Sequence, residues 1–520
     1  MPVTGTARSS RKRKPRGDSL GPPQKKHRRI QTADVVDLSV KKSLQNEKAP
    51  TLRTTVNSIP LIRLEVFVVG DGSGGELGLG SNTLELTKPR LNPNLSGKVV
   101  DIATGGMHAA AITGDSKVLT WGVNDNYALG RDTAWEGGMR DIDEDDGSSE
   151  GELNPKESTP TAISLGDIPA GSRIVQVAAG DSATFVLTAE GTVYGWGTFV
   201  TTEGKRFFGL DSENRAITIR KEPMLIPHLE RITRLSAGIN FCLALDADGT
   251  VFSWGTNESN QLGRRVVIDR RAFSRLSQEF GHDLDKVRTV VGLRPHPVGL
   301  SKRTKIVSIH TGTDHAFAID TKGNTWAWGL NNFGQTAIPE GAGNSGSTIS
   351  APRKVLCLAG KGLRMIAGGA YHSVCVTRTG ECLVWGRVDG GTSGLDINKL
   401  SLEYAERFIF ERGKARILTY PTSLPIPSCV HVAAGTDHTI AITHEGKAYA
   451  WGYNIDNRCG PGPDEIPVPT VVSASSINNK RLIWAGAGGH YSIFASQSED
   501  HSSAAGPLIN GISTSESPQT

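Results

Sequence analysis

The chain has 520 residues, a formal net charge of +4 and 61 glycines, a glycine share above the usual value of about 7%. It contains no run of about 18 apolar residues, and its N-terminus has no apolar stretch before its charges, so we expect neither a membrane span nor a secretory signal. Its six cysteines form no C-x-x-C pair, which favours reduced, buried thiols over a disulfide framework or a zinc site.

The first 60 residues hold most of the positive charge, with 14 Lys/Arg against 4 Asp/Glu, whereas the remainder has 43 against 49. A segment of this composition cannot bury a core, so we predict a disordered basic tail over residues 1–60. Its cations form two clusters separated by Gly and Pro, a pattern typical of nuclear import signals and of contacts with DNA phosphates: Arg11, Lys12, Arg13, Lys14, Arg16, Lys25, Lys26, Arg28 and Arg29. A purely solvated tail is the alternative.

The rest of the chain repeats one pattern in two halves. The first half is a small residue, a glycine, two variable residues and an apolar run, and its glycines are Gly105, Gly180, Gly238, Gly312, Gly369, Gly435 and Gly488. The second half ends in Trp-Gly, 16 residues after the glycine, at Trp121, Trp196, Trp254, Trp328, Trp385 and Trp451. An x-Gly pair such as Glu445-Gly446 between the halves predicts a tight hairpin turn.

The two ends of the chain complete each other. Residues 66–80 form a second half in which Val69-Gly70 replaces Trp-Gly, and residues 484–496 form a first half without a second. A closed ring needs one unit built from both termini, and closure leaves no unit without a neighbour. We therefore predict an all-β, seven-bladed β-propeller over residues 61–497, closed by pairing of the N- and C-terminal segments, with a disordered tail at 498–520. We expect each Trp to pack between blades.

Insertions interrupt the repeats, among them a Gly/Ser-rich loop at residues 341–350. Residues 132–157 are acidic and rich in Gly and Ser, which predicts a mobile loop. Residues 264–303 are basic, with 10 Lys/Arg against 4 Asp/Glu. Residues 401–412 place apolar side chains at helical spacing, which predicts a short helix lying on a blade.

Deviations from the repeat indicate where a site lies. Among the residues that follow the seven motif glycines, only Asp181 is charged, and it stands in Ala-Gly-Asp-Ser with Ser182. One interpretation is a turn-capping carboxylate; the other is a carboxylate on the rim that faces a partner's Lys or backbone. The same repeat lacks the Gly-x-Asn that follows other Trp-Gly pairs, and its sequence predicts an extra hairpin with the residues Thr198, Phe199, Glu203, Gly204, Lys205, Arg206, Phe207 and Phe208. Aromatic residues beside cations favour an interface here, with a hairpin folded onto its own blade as the alternative.

No arrangement for covalent catalysis or metal binding is evident, and we expect neither a cofactor nor a metal. His108, His315, His372 and His438 share one repeat position but belong to different blades, whereas zinc ligands must all lie about 2.1 Å from one ion. Structural hydrogen bonding between strands is the better interpretation, with a possible second role for His372.

These repeats and the basic tail resemble the regulator of chromosome condensation family, seven-bladed guanine-nucleotide exchange factors for the small GTPase Ran. The resemblance covers about residues 64–496, and neither a ligase domain nor the signature of the photoreceptor branch is present. WD-repeat propellers are a weaker match because they have Asp after Trp, and here Gly follows every motif Trp.

The resemblance implies exchange of GDP on Ran in the nucleus without covalent chemistry. It implies that Asp181 is essential, that the extra hairpin is a wedge against the phosphate loop of the GTPase, and that Arg264 and His372 match contact residues. Asn240 stands where family members usually have an acidic residue. The resemblance also implies histones, DNA phosphates and nuclear import receptors as partners. Residues 264–303 resemble the segment with which the family contacts nucleosomes. No membrane partner is expected. The rival hypothesis is a chromatin-bound scaffold without exchange activity.

Overall fold

The computed structural model describes residues 55–136, 152–211, 215–268, 270, 273–274, 276–277, 283–399 and 406–499. All of them belong to one unit of the chain, Arg53–Thr520. The nine tail cations assigned to nuclear import, most of the acidic loop and nearly all of residues 498–520 lie outside the described residues, so the interpretations of those segments stay predictions.

The ring closes as the sequence predicts, through one blade built from both ends of the chain. The N-terminal segment supplies β1 (Leu64–Asp71) and β2 (Glu85–Leu91), and the C-terminal segment supplies β32 (Leu482–Ala487) and β33 (Tyr491–Gln497). The strand order is β2-β1-β33-β32, and β1 pairs with β33 over seven successive residue pairs from Leu64↔Gln497 to Gly70↔Tyr491. We number this blade 7.

Six further antiparallel blades complete the propeller, and each begins at the axis with the strand before a motif glycine. The strands of each blade are given from the axis outward. Blade 1 consists of β3–β6 (Val99–Thr104, His108–Thr113, Val118–Gly122, Thr161–Ala162), and blade 2 of β7–β9 and β14 (Ile174–Ala179, Ala183–Thr188, Val193–Gly197, Arg220–Leu225). Blade 3 consists of β15–β18 (Ile232–Ala237, Phe241–Asp246, Val251–Gly255, His296–Pro297). Two small hairpins follow β9 in blade 2: β10 (Phe199–Val200) with β11 (Arg206–Phe207), and β12 (Gly209–Leu210) with β13 (Ala216–Ile217).

Blades 4 to 6 follow the same plan with one addition. They are β19–β22 (Ile306–Thr311, His315–Asp320, Thr325–Leu330, Thr348–Lys354), β23–β25 with β27 and β26 (Leu363–Gly368, His372–Thr377, Cys382–Arg387, Lys414–Ser423, Phe408–Glu411), and β28–β31 (Cys429–Ala434, His438–Thr443, Ala448–Tyr453, Glu465–Val471). Blade 5 therefore has five strands. The helix predicted for residues 401–412 is wrong for its described second half, because Phe408–Glu411 pairs with β27 as an edge strand.

Helices are few in the described residues. Those with defined bounds are α1 (Pro155–Ser158) and α2 (Leu284–Gly292), with 3-10 turns at Leu356–Leu358, Asp389–Gly391 and Ile397–Lys399. The described residues among 270–277 are helical as well. Helix α2 lies in the basic insertion and begins at Asp283, whose carboxylate accepts from the amides of Asp285 and Lys286. Neither helix is long and apolar enough to cross a membrane.

The motif histidines join neighbouring blades. In each, the ring Nε2 is hydrogen-bonded to a hydroxyl oxygen on the next blade, at a distance of 2.7–2.9 Å. The pairs are His108–Thr184, His315–Ser373, His372–Thr439 and His438–Ser492. Burial lowers the pKa of His108 and of His372 to about 4, so both rings are neutral at physiological pH. The structural interpretation of these histidines is confirmed.

The motif tryptophans form a second connection between blades, as predicted. All six are buried, and five donate the indole N–H to a backbone carbonyl of the preceding blade at 2.8–3.2 Å: Trp121, Trp196, Trp328, Trp385 and Trp451. In the part of the chain that the structure describes, the indole N–H of Trp254 has no acceptor. Blade 2, which precedes Trp254, is the blade that carries the extra hairpins.

The motif glycines allow the inner strands to approach each other at the axis. A Cβ atom on Gly105 would lie 2.3 Å from the carbonyl oxygen of Gly180 on the next blade. Such a distance is far below van der Waals contact, so any larger residue would force the two blades apart.

Residues 55–60, which we assigned to the tail, contact the propeller. The amides of Val56 and Asn57 donate to the carbonyl of Ala189 at 2.8 and 2.9 Å, and the Asn57 side chain donates to the carbonyls of Thr188 and Ile232. The segment therefore joins blades 2 and 3 before the chain enters β1.

Replacing Ser373 by Ala should lower the free energy of unfolding by about 1–3 kcal/mol, because the buried ring of His315 would lose its hydroxyl partner. Chemical denaturation followed by tryptophan fluorescence measures the change. Ser345→Ala, on an exposed loop, is the matched control and should have no effect. Equal stability of the two variants would contradict an energetic role for the His–hydroxyl pairs.

Candidate interaction site on one face of the ring

Two sets of loops meet at one end of the propeller. The loops after the motif glycines and those after the Trp-Gly pairs are joined by backbone hydrogen bonds, such as Val123 to Met107 at 2.9 Å and Leu330 to Asp314 at 2.8 Å. We call this end the site face. The opposite face carries the x-Gly turns such as Glu445-Gly446.

The predicted hairpin is present on the site face, and we call residues 199–207 the wedge hairpin. Phe199 pairs with Phe207 and Val200 with Arg206, and the turn closes through a bond from the Thr201 amide to the Lys205 carbonyl at 2.9 Å. Gly204 has φ +75°, a left-handed conformation that favours glycine. The tip at Thr202, Glu203 and Gly204 is exposed, so the hairpin presents polar groups to solvent.

The phenylalanines of the wedge hairpin face inward, which corrects the prediction that they form an interface. Phe199, Phe207 and Phe208 are at most 5% exposed, and they pack with Phe185 and Trp254. The ring centroids of Phe185 and Trp254 lie 5.5 Å apart in an edge-to-face arrangement. Apolar side chains are buried whenever the blade beneath can accept them, so the three rings anchor the hairpin to blades 2 and 3. Thr198 is also buried, and its hydroxyl donates to the Thr218 carbonyl at 2.6 Å.

Asp181 and Ser182 lie at the base of the hairpin. The Asp181 amide donates to the Ile239 carbonyl of blade 3 at 3.0 Å, and its own carbonyl bonds to Nδ1 of His108 at 3.1 Å. Ser182 receives a bond from the Asn126 side chain at 3.1 Å and donates weakly to the Asp181 carboxylate at 3.5 Å. The carboxylate thus has no strong donor from its own turn, which argues against a simple capping role.

A cleft of about 210 Å³ separates the wedge hairpin from blades 3 and 4. Its polar lining includes Asp181, Asn240, Glu258 and Asp314. Asn240, predicted as a site residue, accepts a bond from the Val200 amide at 2.7 Å through its side-chain oxygen. The carboxyl groups make the cleft acidic, so it suits basic side chains or amide donors and repels phosphate.

Burial changes the acidity of the cleft. It raises the pKa of Asp181 above its ordinary value, with a small opposing effect from the Ser182 hydroxyl. Burial also raises the pKa of Asp314 to about 6, and the nearby charge of Glu258 adds to the effect. A raised carboxyl pKa in a concave site is typical of functional positions, because the protein keeps there a carboxylate whose charge no nearby cation compensates.

Arg264 does not reach the cleft. Its side chain is 7% exposed, and its guanidinium donates to Ser253 and to the carbonyls of Gly292 and Arg294 at 3.0–3.3 Å. Arg131 makes the same bonds to Thr120 in blade 1. Arg264 therefore has a structural role in the repeat: it fastens the basic insertion, and its charge is buried.

His372 is buried as well, at 1% exposure, and its Nε2 is bonded to Thr439. The structure thus gives it the inter-blade role and no open path to the site face. Among the residues that the structure describes, no three His, Cys, Asp or Glu side chains are grouped closely enough to hold a metal ion.

Two cleft residues, Asp314 and Glu258, were not predicted from the sequence. Asp314 occupies the second position after its motif glycine, the position that Ser182 and Asn240 occupy in their repeats. Comparing that position across the repeats would have identified it. No repeat signal identifies Glu258, because only the folded chain brings its loop against the wedge hairpin.

Asp314→Asn should make the protein about 1–3 kcal/mol more stable at pH 7.5. The folded protein binds the Asp314 proton more tightly than the unfolded chain does, so this group's contribution is favourable at low pH and is lost as pH rises from about 4 to about 6. Denaturation midpoints at pH 4, 5, 6 and 7.5 measure the difference between variant and wild type, which should vanish at pH 4. Asp464→Asn, at an exposed position, should show no such trend. A difference that does not depend on pH would contradict the raised pKa.

The chain is similar in sequence to known proteins. A family profile described as an RCC1-like domain matches residues 65–494. Protein pim1 of Schizosaccharomyces pombe is 34% identical over 480 residues, covering 89% of this chain and 80% of the relative. The guanine nucleotide exchange factor SRM1 of Saccharomyces cerevisiae is 35% identical over 446 residues, covering 83% and 86%.

Solved structures of similar sequence have the same fold as this chain. Prp20p from Saccharomyces cerevisiae, studied for its binding to Gsp1p and histones, superposes with a TM-score of 0.72 at 33% identity, covering 85% of this chain and 94% of that one. A structure of yeast RCC1 (Prp20) bound to Kap60 superposes with the same TM-score at 32% identity, covering 89% and 98%. With the profile spanning all seven blades and these relatives above 30% identity, the chain belongs to the RCC1-like family of β-propellers.

Proposed function

We propose that this protein is a guanine-nucleotide exchange factor that releases GDP from a Ran-type GTPase. The observation that carries the proposal is the exposed tip of the wedge hairpin beside the acidic cleft, both on one face of a closed ring. Relatives support it, because SRM1 is a guanine nucleotide exchange factor and Prp20p was characterised for binding to Gsp1p.

The proposed reaction makes and breaks no covalent bond. An exchange factor accelerates nucleotide release when it binds the nucleotide-free GTPase more tightly than the nucleotide-bound forms. By thermodynamic linkage, the bound factor then weakens nucleotide affinity by the same factor. The direction of exchange is set by the nucleotide concentrations and not by this protein.

The acidic cleft provides the differential affinity. A GTPase holds its nucleotide phosphates with backbone amides and a lysine. Once the wedge displaces the phosphates, those donors lose their anionic partner, and a carboxylate at Asp181 replaces it. While phosphate is still present, the negative charge of Asp181 and Asp314 opposes binding. The same residues therefore favour the nucleotide-free complex and disfavour the nucleotide-bound one.

We assign chromatin attachment to other parts of the chain. The nine clustered cations of the N-terminal tail would contact DNA phosphates and an import receptor, and the basic insertion at 264–303 would contact histones or DNA. Prp20p has been studied for histone binding and Prp20 was solved with Kap60, which supports a nuclear, chromatin-associated protein. In this assignment the N-terminal tail, which we placed at residues 1–60, serves import and DNA contact, although its last residues, 55–60, are bonded to the propeller of residues 61–497. Residues 498–520 form the C-terminal tail.

Substoichiometric amounts of this protein should accelerate release of fluorescent GDP from purified Ran. Asp181→Asn should reduce the second-order rate constant for release by about 10- to 100-fold, since a charge-assisted interaction with the emptied phosphate site is lost. Asp115→Ala, at a turn on the opposite face, is the control and should retain the wild-type rate.

Two results would change the proposal. Fast release by both wild type and Asp181→Asn would keep the function and reject the assigned site. No acceleration by the intact protein would reject exchange activity and leave a chromatin-bound propeller scaffold, for which nucleosome binding is the direct assay.

Replacing the nine tail cations by Gln should weaken binding to duplex DNA and flatten its salt dependence, because each phosphate contact contributes about −0.9 to the slope of log K against log salt. Binding isotherms at four salt concentrations give the slope. Asp181→Asn should leave the slope unchanged, and the tail variant should retain normal GDP release. An unaltered slope in the tail variant would place DNA contact elsewhere.

A further inference from the structure

The wedge hairpin is fixed from outside by two side chains of blade 3. We infer that Asn240 and Glu258 are positioning residues that hold this hairpin at its working angle before any partner binds. The inference rests on the proposed exchange function and extends it, because it assigns the wedge a support that neither the repeat pattern nor the family resemblance provides.

The contacts are direct. The side-chain oxygen of Asn240 accepts from the Val200 amide at 2.7 Å. The carboxylate of Glu258 accepts from the Thr202 amide at 3.0 and 3.1 Å and from the Thr202 hydroxyl at 2.7 Å. The first half of the hairpin thus uses two amides, on either side of Thr201, to bind the neighbouring blade.

The hairpin needs such support. Its strands are only two residues long, and a short two-stranded hairpin is at best marginally stable alone. Beneath it lie phenylalanine rings, which give burial but little directional constraint. The indole N–H of Trp254 marks the missing polar connection: five other motif tryptophans bond to the preceding blade, whereas this one, within the described residues, has no acceptor.

The supporting loop is itself fixed to the ring. The Thr256 hydroxyl donates to the Asn240 carbonyl at 3.2 Å, and the Gln261 side-chain amide donates to Thr256 at 3.1 Å and to the Asp314 carboxylate at 3.3 Å. Glu258 lies between Thr256 and Gln261, so its position is set by blades 3 and 4. The hairpin of blade 2 therefore takes its orientation from two other blades.

This arrangement separates positioning from partner contact. A residue that touches the GTPase should affect exchange without altering the free protein. A residue that positions the hairpin should loosen it in the free protein as well. Hydrogen exchange of the Thr202 amide, measured without any GTPase, distinguishes the two roles because that amide donates to Glu258.

The test uses Glu258→Ala and Asn240→Leu in the full chain, with Asn240→Asp as the conservative variant that keeps an acceptor for Val200. Glu230→Ala, an exposed glutamate between blades 2 and 3 on the opposite face, is the matched control. We expect hydrogen exchange in residues 198–207 to become at least tenfold faster in Glu258→Ala and Asn240→Leu. Asn240→Asp and Glu230→Ala should match the wild type.

Release of fluorescent GDP from Ran provides the second readout. We expect kcat to fall about tenfold in Glu258→Ala and Asn240→Leu with KM nearly unchanged, because a loosened wedge still meets the GTPase but distorts it less often. Recovery of kcat in Asn240→Asp would support positioning, since the hydrogen-bond acceptor is restored there.

Unchanged hydrogen exchange in both variants would overturn the inference, even if GDP release were slower, because it would assign Glu258 and Asn240 to direct contact. Faster hydrogen exchange with wild-type release would overturn it too, since the hairpin angle would not matter. Absence of release by the wild type would reject the proposed function and the kinetic part of this inference, while the hydrogen-exchange result would still decide whether the two residues order the hairpin.

Discussion

The structure depends on the contact between neighbouring blades. A four-stranded sheet cannot bury both faces by itself, so each blade is stable only when the next one covers it. Polar groups buried at these contacts are favoured when they are paired, and a neutral His bonded through Nε2 to a hydroxyl joins two blades without placing a charge in the core. Four such pairs and five Trp-to-carbonyl bonds recur around the ring. At the closing blade, Tyr491 replaces His and donates to the carbonyl of His108 at 2.7 Å.

The candidate site lies where this pattern is interrupted. In blades 2 and 3 the His position is occupied by Ala183 and Phe241, and the hydroxyl position of the following blade by Cys242 and Ala316. The two changes occur together, so no unpaired hydroxyl remains, and each pair lies in an apolar cluster. The wedge hairpin, the basic insertion and the acidic cleft are all built at these two contacts. Apolar packing maintains the ring there and leaves the loops above free to differ.

Repeats made the fold predictable from the sequence. Gly105 and its counterparts are recognisable because only glycine fits where the inner strands approach each other at the axis. The complementary ends of the chain are recognisable because a closed ring needs one blade built from both. The place of the wedge hairpin and of Asp181 was predictable for the same reason: each is a departure from an otherwise regular pattern.

What the sequence did not reveal depends on which neighbour a side chain meets. The phenylalanines of the predicted hairpin were expected at an interface, with a hairpin folded onto its own blade as the alternative, and Phe185 and Trp254 form a surface that buries them. Arg264 was expected to contact a partner, but its side chain bonds to its own blade. Arg131 occupies the same position in another repeat and makes the same bonds. Glu258 belongs to a loop 56 residues from Thr202 along the chain, so its contact exists only once blades 2 and 3 have packed together.

An exchange factor of this kind must resist deformation more than its partner does. If the wedge yielded when it pressed on a GTPase, the binding free energy would deform the hairpin and not the nucleotide site. Cross-blade support answers that requirement, because load on the hairpin passes through Asn240 and Glu258 into blade 3, and through Gln261 and Asp314 into blade 4. The closed ring distributes it further, since displacing one blade strains the contacts of both neighbours. In this view, rigidity of the scaffold allows a hairpin of nine residues to act as a wedge, and the stability and the proposed activity of the protein have a common physical origin.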